Sequence, residues 1–353
     1  MNHNRKPVEL LRVALDFGDR VPLPVGRLVP NEGRIYFEYD PEFLDAGLPL
    51  SPYKLPLKTG TFSFEPSLFE GLPGVFNDSL PDGWGRLLLD RLLRADGVPP
   101  ETFSVLDRLA QVGKIGMGAL TYWPDYGATS SVGTLGLDDL SGQTRAILRG
   151  ESSDVLEDLI QLNGSSAGAR PKALIAFNPG GNSIHQVDEV LPVGFESWIV
   201  KFGNSRDGLD AGAIEYVYNL MAAKAGLDVT QCHLFEGKGN AGYFAAKRFD
   251  RLHEGKKLHV HTACGLLHSD FRTPALDYED LVKATLWLTK DARQAQKIFR
   301  YAVFNVLAHN RDDHSKNFSF LMDEKGIWQV SPAYDLTFSS GPAGQQSMLV
   351  APA

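Results

Sequence analysis

The stretch HNRDDHSKN at residues 309–317 decides how this sequence is interpreted, because it is the densest polar cluster in the chain and directly follows an apolar helical pattern. Asp312 and Asn317 have the Asp-x-x-x-x-Asn spacing of a kinase catalytic loop, in which the Asp accepts the proton of the substrate hydroxyl and the Asn holds Mg²⁺. A predicted hairpin follows, and just past it Asp335 stands where a kinase places its other metal ligand. The order of these parts indicates phosphoryl transfer.

Two other interpretations of this cluster stay open. It could be a solvated polar loop with a capping Asp, although so many Asp and His side chains close together are costly without a cation or ligand to face. It could also be a transition-metal site for hydrolysis, because imidazole and carboxylate together can hold zinc or manganese. The ligands would be His309, Asp312, Asp313 and His314, but their spacing on a loop does not fix a geometry.

Two lysines upstream could face nucleotide phosphates. Gly164–Lys172 (GSSAGARPK) is a loop that leads into a strand, and its backbone N–H groups could cradle phosphates, although it is not a Walker A loop and could be a plain turn. Lys201 ends a later apolar strand and could neutralise phosphates, or could be an edge lysine that extends to water. Glu215 could pair with Lys201, as kinases pair a strand lysine with a helix glutamate, or could be an exposed first-turn acid.

A further strand ends in the charged residues Lys247 and Arg248, followed by Phe249. A loop and then predicted helices come next, which is where a two-lobed kinase has the hinge whose backbone groups read adenine. A charged strand end without that role would have the same composition, so both interpretations stay open.

Composition and charge narrow the class of protein. The chain has 353 residues, 43% hydrophobic and 22% charged, which is near the globular average and excludes a largely disordered or fibrous chain. A net charge of −8 argues against a direct, non-specific nucleic-acid binder, which should be basic. Cys232 and Cys264 cannot build a disulfide framework or a four-sulfur zinc site, which fits a reducing compartment. Because neither a secretory signal nor an apolar stretch of about 20 residues is visible, we expect a soluble, cytoplasmic protein without membrane contact.

The hydrophobic periodicity predicts an α+β fold. Short apolar runs over residues 9–40 predict a small antiparallel sheet. Trp84–Arg94 and 102–111 are predicted helices, with Asp82 as N-cap of the first, and the polar residues 124–144 are predicted to bridge two domains. Farther on, the predicted strands are Ala173–Phe177, Pro192–Phe202, Gly242–Arg248, Phe318–Met322 and Ile327–Val330, and the predicted helices are Asp154–Leu162, Ala213–Ala225, 278–289 and 292–308. The last helix has a stripe predicted to be buried, which consists of Ala295, Ile298, Phe299, Ala302, Val303, Val306 and Leu307.

The order of these motifs resembles the HipA family of bacterial toxin–antitoxin serine/threonine kinases. The resemblance covers nearly the whole chain and implies an N-terminal α/β domain followed by a two-lobed kinase-like domain. The motifs that carry it are VFNDSLPDGW (75–84), ARPK (169–172), IVK (199–201), KRFDR (247–251), NRDDHSKN (310–317) and PAYDL (332–336). The implied boundaries are 1–125 for the N-terminal domain, 126–150 for the bridging segment, 151–252 for the N-lobe with its Gly-rich loop and hinge, and 253–353 for the C-lobe.

The resemblance also implies roles for single residues. Asp312 would be catalytic, and Asn317 and Asp335 would bind Mg²⁺. Ser165 matches the serine that members of the family autophosphorylate. The ATP-binding residues would be Ala167, Gly168, Ala169, Arg170, Pro171, Lys172 and Lys201 at the phosphates, Lys247, Arg248 and Phe249 at the adenine, and His314.

The implied activity is transfer of the ATP γ-phosphate to a protein Ser or Thr, with a translation component such as an aminoacyl-tRNA synthetase as substrate, together with autophosphorylation. The implied inhibitory partner is a helix-turn-helix antitoxin of the HipB type, through which DNA would be contacted only indirectly. Two other functions stay open: a catalytically impaired nucleotide-binding regulator, and a small-molecule phosphotransferase of kinase-like fold. Because the sequence after Asp335 is shorter than in the family, we expect a C-terminally shortened member.

Overall fold

The fold was described from a computed structural model of the chain. The described residues form three sheets, and within each sheet all neighbouring strands are antiparallel. None of the helices among the described residues is long and apolar enough to cross a membrane. The structure describes residues 7–18, 20–127, 136–151, 159–160, 170–181, 183–186, 191–204, 207–272, 276–341 and 344–350.

The first sheet contains five strands. They are β1 (Leu11–Leu15), β2 (Leu23–Asn31), β3 (Arg34–Tyr39), β4 (Thr61–Ser63) and β5 (Leu120–Trp123). Their order is β4-β3-β2-β1-β5, which confirms the antiparallel sheet predicted over residues 9–40. In β1 the buried residues Leu11, Val13 and Leu15 alternate with residues of the other face, so one face of the sheet lies in a core.

Four helices accompany this sheet: α1 (Pro41–Ala46), α2 (Gly74–Asn77), α3 (Gly83–Ala95) and α4 (Val105–Val112). The two longer ones confirm the two helices predicted in this part of the chain. The helix α4 begins later than predicted because Ser104 caps it: the Ser104 Oγ accepts from the backbone N–H of Asp107 at 3.1 Å, and the Asp107 carboxylate accepts from the Ser104 N–H at 2.9 Å. This reciprocal pair satisfies two helix-end donors and fixes the start.

The second sheet and its helices form the next part of the chain. The strands are β6 (Lys172–Asn178), β7 (Ser183–Gln186), β8 (Glu196–Lys201), β9 (Cys232–Phe235) and β10 (Tyr243–Lys247), and the helices are α5 (Leu137–Leu148) and α6 (Ala211–Lys224). The sheet order is β7-β6-β8-β10-β9. Helix α5 lies in the segment predicted as a bridge, and its Leu140 and Ile147 are buried. The predicted helix Asp154–Leu162 lies almost entirely outside the described residues.

The third sheet and three helices complete the described fold. They are β11 (His259–Thr262), β12 (Ser319–Met322), β13 (Trp328–Val330), α7 (Ala263–Leu267), α8 (Tyr278–Thr289) and α9 (Ala292–Leu307). The predicted hairpin is confirmed, because β12 and β13 pair with Phe320 opposite Val330. The stretch between α9 and β12 is the polar cluster with which the sequence analysis began, so a helix and a hairpin fix it at both ends.

The prediction of a buried stripe on α9 is wrong for four of its seven residues. Phe299 and Leu307 are 62% and 76% exposed, and Val303 and Val306 are also exposed. Ile298 is buried as predicted, and the buried side of the helix otherwise carries Tyr301, Phe304 and Asn305. Apolar residues occur around most of this helix, so their spacing alone does not reveal which side its neighbours cover.

Two hydrophobic cores hold these parts together. One core joins the inner face of the first sheet, including Leu28 and Phe37, to the C-terminal part through residues such as Phe318 and Phe320. The other joins the second sheet to α5 and to Trp84 of α3. The N-terminal part therefore packs against both halves of the rest of the chain.

A buried polar contact also joins the N-terminal part to β11. His261 Nδ1 lies 2.6 Å from the Asp78 carboxylate, and His261 Nε2 lies 2.9 Å from Ser51 Oγ. Asp78 also accepts from the backbone N–H of Thr262 at 2.7 Å. These side chains are buried, so satisfied hydrogen bonds rather than water hold this junction.

Candidate active site

The central feature of the site is a pair of lysines on neighbouring strands. Lys172 begins β6 and Lys201 ends β8, and the two are register partners in the antiparallel pairing. Directly opposed residues project from the same face of a sheet, so both amines lie on one face. Only 14% of the Lys201 side chain is exposed, which excludes the alternative of an edge lysine extended to water.

Lys201 is held between two carboxylates from distant parts of the chain. Its Nζ donates to Glu215 Oε1 and to Asp335 Oδ1. Burial alone would lower the pKa of Lys201, but the charges of Asp335 and Glu215 outweigh it and raise that pKa above its usual value. Burial would likewise raise the pKa of Asp335, but Lys201 and Lys172 hold it below the usual range. Both groups are therefore charged at neutral pH, and they form an ion cluster in which Glu215 and most of Lys201 are buried while 34% of the Asp335 side chain is exposed.

Glu215 is placed by α6. It is buried in that helix, with about 2% of its surface exposed, which excludes the alternative of an exposed first-turn acid. Arg170 approaches it from the other side, with Nη1 3.4 Å from Glu215 Oε2, and its Nε lies 3.5 Å from Asp207 Oδ2. A cavity of about 120 Å³ adjoins Arg170, Lys201 and Glu215. The pairing of a strand lysine with a helix glutamate is the arrangement that protein kinases require for activity.

The remaining described residues of the predicted phosphate loop are Pro171 and Lys172. The Pro171 carbonyl accepts from the Phe202 N–H at 2.8 Å, which continues the pairing of β6 with β8. Lys172 is buried, and desolvation lowers its pKa although Asp335 acts in the opposite direction. The other predicted residues of this loop, Ser165, Ala167, Gly168 and Ala169, lie outside the described residues.

The catalytic-loop candidates occupy a short segment between α9 and β12. Asn317 Nδ2 donates to the backbone carbonyl of Asp312 at 2.6 Å, so the amide closes the loop and its Oδ1 is the atom that could face a cation. The Asp312 side chain is 63% exposed, and its Oδ1 lies 3.8 Å from His314 Nε2. An exposed carboxylate in a fixed loop is suited to receive a proton from an incoming substrate.

Asp313, the neighbour of Asp312, has a structural role. It accepts from the Tyr278 hydroxyl at 2.5 Å and from the Ser347 N–H at 2.9 Å. The transition-metal interpretation of this cluster is wrong, because Asp313 turns away to Tyr278 and His309 pairs with Arg311 at 3.3 Å. Among the described residues, no group of three or more His, Cys, Asp or Glu side chains could hold a metal ion.

Asp335 is positioned by an unusual backbone. Its φ is +54°, in the left-handed region that costs a non-glycine residue energy and that occurs often at functional sites. The preceding residue, Tyr334, is anchored because its backbone carbonyl accepts from the Tyr301 hydroxyl at 2.6 Å. Its ring lies 5.6 Å from that of Phe249. The predicted hinge and the predicted metal ligand are therefore adjacent.

The structure distinguishes the three predicted hinge residues. Lys247 Nζ donates to Glu196 at 2.6 Å, and Arg248 is buried, with its guanidinium bound to the Asp250 carboxylate at 2.6 Å. The backbone N–H groups of Lys247 and Arg248 are occupied by Gln231 and Ser197. The Arg248 side chain faces the N-terminal part rather than a nucleotide, through the Gly116 carbonyl at 3.2 Å. Because these backbone N–H groups already have protein partners, the adenine contact stays a prediction for Phe249 alone among the three residues.

Sequence reasoning missed two residues beside this site. Asp82 was assigned only as the N-cap of α3, but its side chain makes no capping hydrogen bond. Instead its Oδ2 accepts from Lys316 Nζ at 2.5 Å, beside the predicted metal ligand Asn317. The signal was present in the motifs LPDGW and HSKN, but nothing in the sequence links residues that are more than two hundred positions apart.

The donor set fits Mg²⁺ and a nucleotide. Asp335 and Asn317 supply the hard oxygen atoms that Mg²⁺ prefers, and this ion is usually bound by one or two protein carboxylates together with substrate phosphates. Lys172, Lys201 and Arg170 supply the positive charge that phosphates need.

The fold and the site together define a class of protein, the two-lobed kinase-like proteins. Comparison with known families agrees: residues 22–123 match the HipA N-terminal domain, and residues 164–352 match the HipA-like C-terminal domain. The second match alone spans more than half of the chain, and the chain therefore belongs to the HipA family.

Individual relatives are distant. The chain is 26% identical over 324 residues to the putative kinase Y4mE of Sinorhizobium fredii, an alignment covering 87% of this chain and 72% of that protein. It is 27% identical over 154 residues to the putative kinase Y4dM of the same organism, covering 40% and 37% respectively. Among solved structures, HipA of Shewanella oneidensis MR-1, in its complex with HipB and operator DNA, matches with a TM-score of 0.68 at 20% identity. That match covers 95% of this chain and 79% of the other, and confirms the predicted α+β, kinase-like fold.

Proposed function

We propose that this protein is an ATP- and Mg²⁺-dependent serine/threonine protein kinase and the toxin of a toxin–antitoxin system. The observation that carries the proposal is the cluster in which Lys201 joins Glu215 to Asp335. A lysine held by a helix glutamate and placed beside a metal-binding aspartate is the set of contacts an active kinase needs. A lone buried ion pair would not require two carboxylates and a second lysine on the adjacent strand.

The chemical roles follow from the positions of the side chains. Bound Mg²⁺ would neutralise charge on the phosphates, with Asp335 and Asn317 as its protein ligands. Lys201 and Lys172 would hold the phosphate chain on the sheet face, and Phe249 would contact the base at the hinge. Asp312, exposed at the open side of the loop, would accept the proton of the substrate hydroxyl. Positioning and charge neutralisation would supply most of the rate enhancement.

We propose a helix-turn-helix antitoxin of the HipB type as the inhibitory partner. The similarity of the fold to a HipA protein solved with HipB and operator DNA supports this partner. The net charge of −8 agrees with DNA contact only through the antitoxin. As substrate we propose a component of the cytoplasmic translation machinery, such as an aminoacyl-tRNA synthetase, on the strength of the family resemblance.

Autophosphorylation at Ser165 is part of the proposal. A phosphate there would add about −1.5 to −2 charges, which would oppose binding of an anionic nucleotide if Ser165 lies beside its phosphates, as the family resemblance implies. Self-modification would therefore switch the enzyme off. Replacing Ser165 by Ala should remove most self-labelling and prolong activity.

The test is incubation of the purified protein with γ-labelled ATP and Mg²⁺, alone and with a heat-inactivated cytoplasmic extract. The proposal expects label in protein phosphoserine or phosphothreonine. Label recovered only in small molecules would instead identify a small-molecule phosphotransferase. Nucleotide binding without any transfer would identify a catalytically impaired regulator.

A further inference from the structure

The N-terminal part reaches the candidate site through an ion pair. Asp82, at the start of α3, binds Lys316 of the catalytic-loop segment, with 2.5 Å between Oδ2 and Nζ. The side chains of Asp82 and Lys316 are 18% and 10% exposed, so the pair is largely shielded from solvent. Removing one partner of such a shielded pair is costly because it leaves the other charge without its partner away from water.

The position of Asp82 would ordinarily serve its own helix. Aspartate at an N-cap usually accepts a hydrogen bond from the helix's first turn, which stabilises the helix. The Asp82 side chain makes no such bond, although the residue occupies that place. The Asp82 carboxylate binds Lys316 instead, so a long-range ion pair takes the place of the capping hydrogen bond.

Lys316 is fixed at three points. Its amine binds Asp82 and lies 4.5 Å from the ring centroid of Phe271, a cation–π distance. Its backbone carbonyl accepts from the Tyr334 hydroxyl at 2.6 Å. Because Asn317 follows Lys316 and Asp335 follows Tyr334, a shift of Lys316 would move both predicted metal ligands.

Asp82 also acts on the phosphate-binding side. Burial lowers the pKa of Lys172, and the charge of Asp82 opposes that lowering together with the larger effect of Asp335. One carboxylate from the N-terminal part thus binds Lys316 on the loop and acts through its charge on Lys172 on the sheet.

We propose that Asp82 is a positioning residue for phosphoryl transfer, and that it holds Lys316 where the lysine can meet the transferred phosphate. The N-terminal part is then a component of the phosphotransfer site as well as a domain that packs beside it. This inference rests on the proposed function. Asp82 acts through Lys316 and does not itself touch the reacting atoms.

The chain offers a matched control for this pair. Lys257 Nζ binds Asp16 Oδ2 at 2.6 Å, with the two side chains 18% and 19% exposed, and this pair also joins the N-terminal part to a later segment. Neither residue lies among those of the candidate site. Asp16→Asn therefore removes a similar contact with a similar cost in stability, and leaves the catalytic loop untouched.

The experiment compares steady-state transfer from MgATP in Asp82→Asn, Asp82→Glu, Lys316→Met, Asp82→Asn with Lys316→Met, and Asp16→Asn. We expect Asp82→Asn to lower kcat at least tenfold while KM for ATP changes less than threefold, and Asp82→Glu to recover a large part of the loss. Lys316→Met should lose a similar factor and the double variant no more than either one, because coupled residues are not additive. Asp16→Asn should stay within twofold of the unsubstituted protein.

Two results would overturn the inference while leaving the kinase proposal intact: an Asp82→Asn variant within twofold of the unsubstituted protein, or losses in the double variant that multiply. Equal losses in Asp82→Asn and Asp16→Asn would also overturn it, since both would then report general docking of the N-terminal part. Absence of transfer by the unsubstituted protein would refute the proposed function and this inference together. If Asp82→Asn does not fold, Asp82→Glu and Lys316→Met carry the same comparison.

Discussion

Lys172 and Lys201 face each other across the pairing of β6 with β8, although 28 residues separate them in sequence (201 − 172 − 1). Their amines share one face of the sheet with the carboxylate of Asp335, whose charge acts on both of them. Repulsion between two buried lysines is tolerable only with such negative charge beside them. Phosphates would supply more of it, which is the physical reason for reading this face as the nucleotide site.

The first prediction concerns Lys201. Lys201→Met should weaken MgATP binding at least tenfold, about 1.4 kcal/mol, because it removes a cation from the phosphate face. Isothermal titration calorimetry measures the change. The control is Lys257→Met, a lysine of similar exposure bound to Asp16, which should lower stability without affecting ATP affinity. Equal ATP affinity in both variants would mean that Lys201 has only a structural role.

The second prediction separates the metal ligand from the lysine. Asp335→Asn is nearly isosteric, but it replaces a charged oxygen ligand by a neutral amide. ATP should still bind, while the additional thermal stabilisation produced by adding Mg²⁺ to the ATP complex should be largely lost. A variant that responds to Mg²⁺ as strongly as the unsubstituted protein would exclude Asp335 from the metal site.

The third prediction uses the two adjacent aspartates of the loop. Asp313 accepts from Tyr278 and Ser347 in a buried setting, so Asp313→Asn should cost about 1–3 kcal/mol of unfolding free energy. Asp312 is exposed, so Asp312→Asn should change stability by less than about 0.5 kcal/mol. Urea unfolding of the two variants checks this. The opposite order would show that the roles of the two residues have been exchanged.

The fourth prediction is that the protonation of a partly buried histidine lowers the free energy of unfolding as the pH falls. Burial lowers the pKa of His268 to about 4, and its Nε2 accepts from the Gly74 N–H at 3.0 Å, which requires the neutral ring. Between about pH 6.5 and 4 the unfolded chain binds a proton that the folded chain does not, so the free energy of unfolding falls as the pH falls through this interval. Burial also lowers the pKa of His259, to about 3, with the same sign.

Replacing His268 by Gln should therefore reduce the slope of stability against pH by up to about 1.4 kcal/mol per pH unit in this interval, the contribution of one proton. Urea unfolding at pH 7.5, 6, 5 and 4.5 gives the slope for both proteins. Lost packing alone would shift the curve of the variant by a constant amount and leave the two curves parallel. Parallel curves across the interval would therefore contradict the assignment.

Much of the candidate site could be predicted from the sequence because its residues lie in local motifs. Asp312 and Asn317 lie within one loop, and Asp335 lies just past a hairpin. Their relative positions therefore depend on short, local segments of the sequence. The structure brings Lys201 to Asp335 and Glu215, as a kinase site requires. The sheet over residues 9–40, the strands β6, β8, β10, β12 and β13, and the helices α3, α4, α6, α8 and α9 were predicted because their apolar periodicity matches the faces they bury. The short strands β4, β5, β7, β9 and β11 and the helices α1, α2, α5 and α7 were not predicted.

The remaining features depend on tertiary packing that no local pattern encodes. The exposed Phe299 and Leu307 on α9 have the same spacing as buried residues, and only the neighbouring elements decide which side is covered. The Arg248 side chain turns to Asp250 and Gly116, away from the predicted adenine contact. Asp82 looked like a helix cap because its long-range partner, Lys316, cannot be read from either motif alone.

The most direct test of the central claim is labelling from γ-labelled ATP by the unsubstituted protein and by Asp312→Asn, with MgATP affinity measured on the same preparations. The account predicts that the variant binds MgATP within threefold of the unsubstituted protein but transfers phosphate at least about 100-fold more slowly, because only the proton acceptor is lost. Comparable labelling by the two proteins would contradict the assignment of Asp312 as the catalytic residue. No labelling by the unsubstituted protein, despite tight MgATP binding, would contradict the kinase itself.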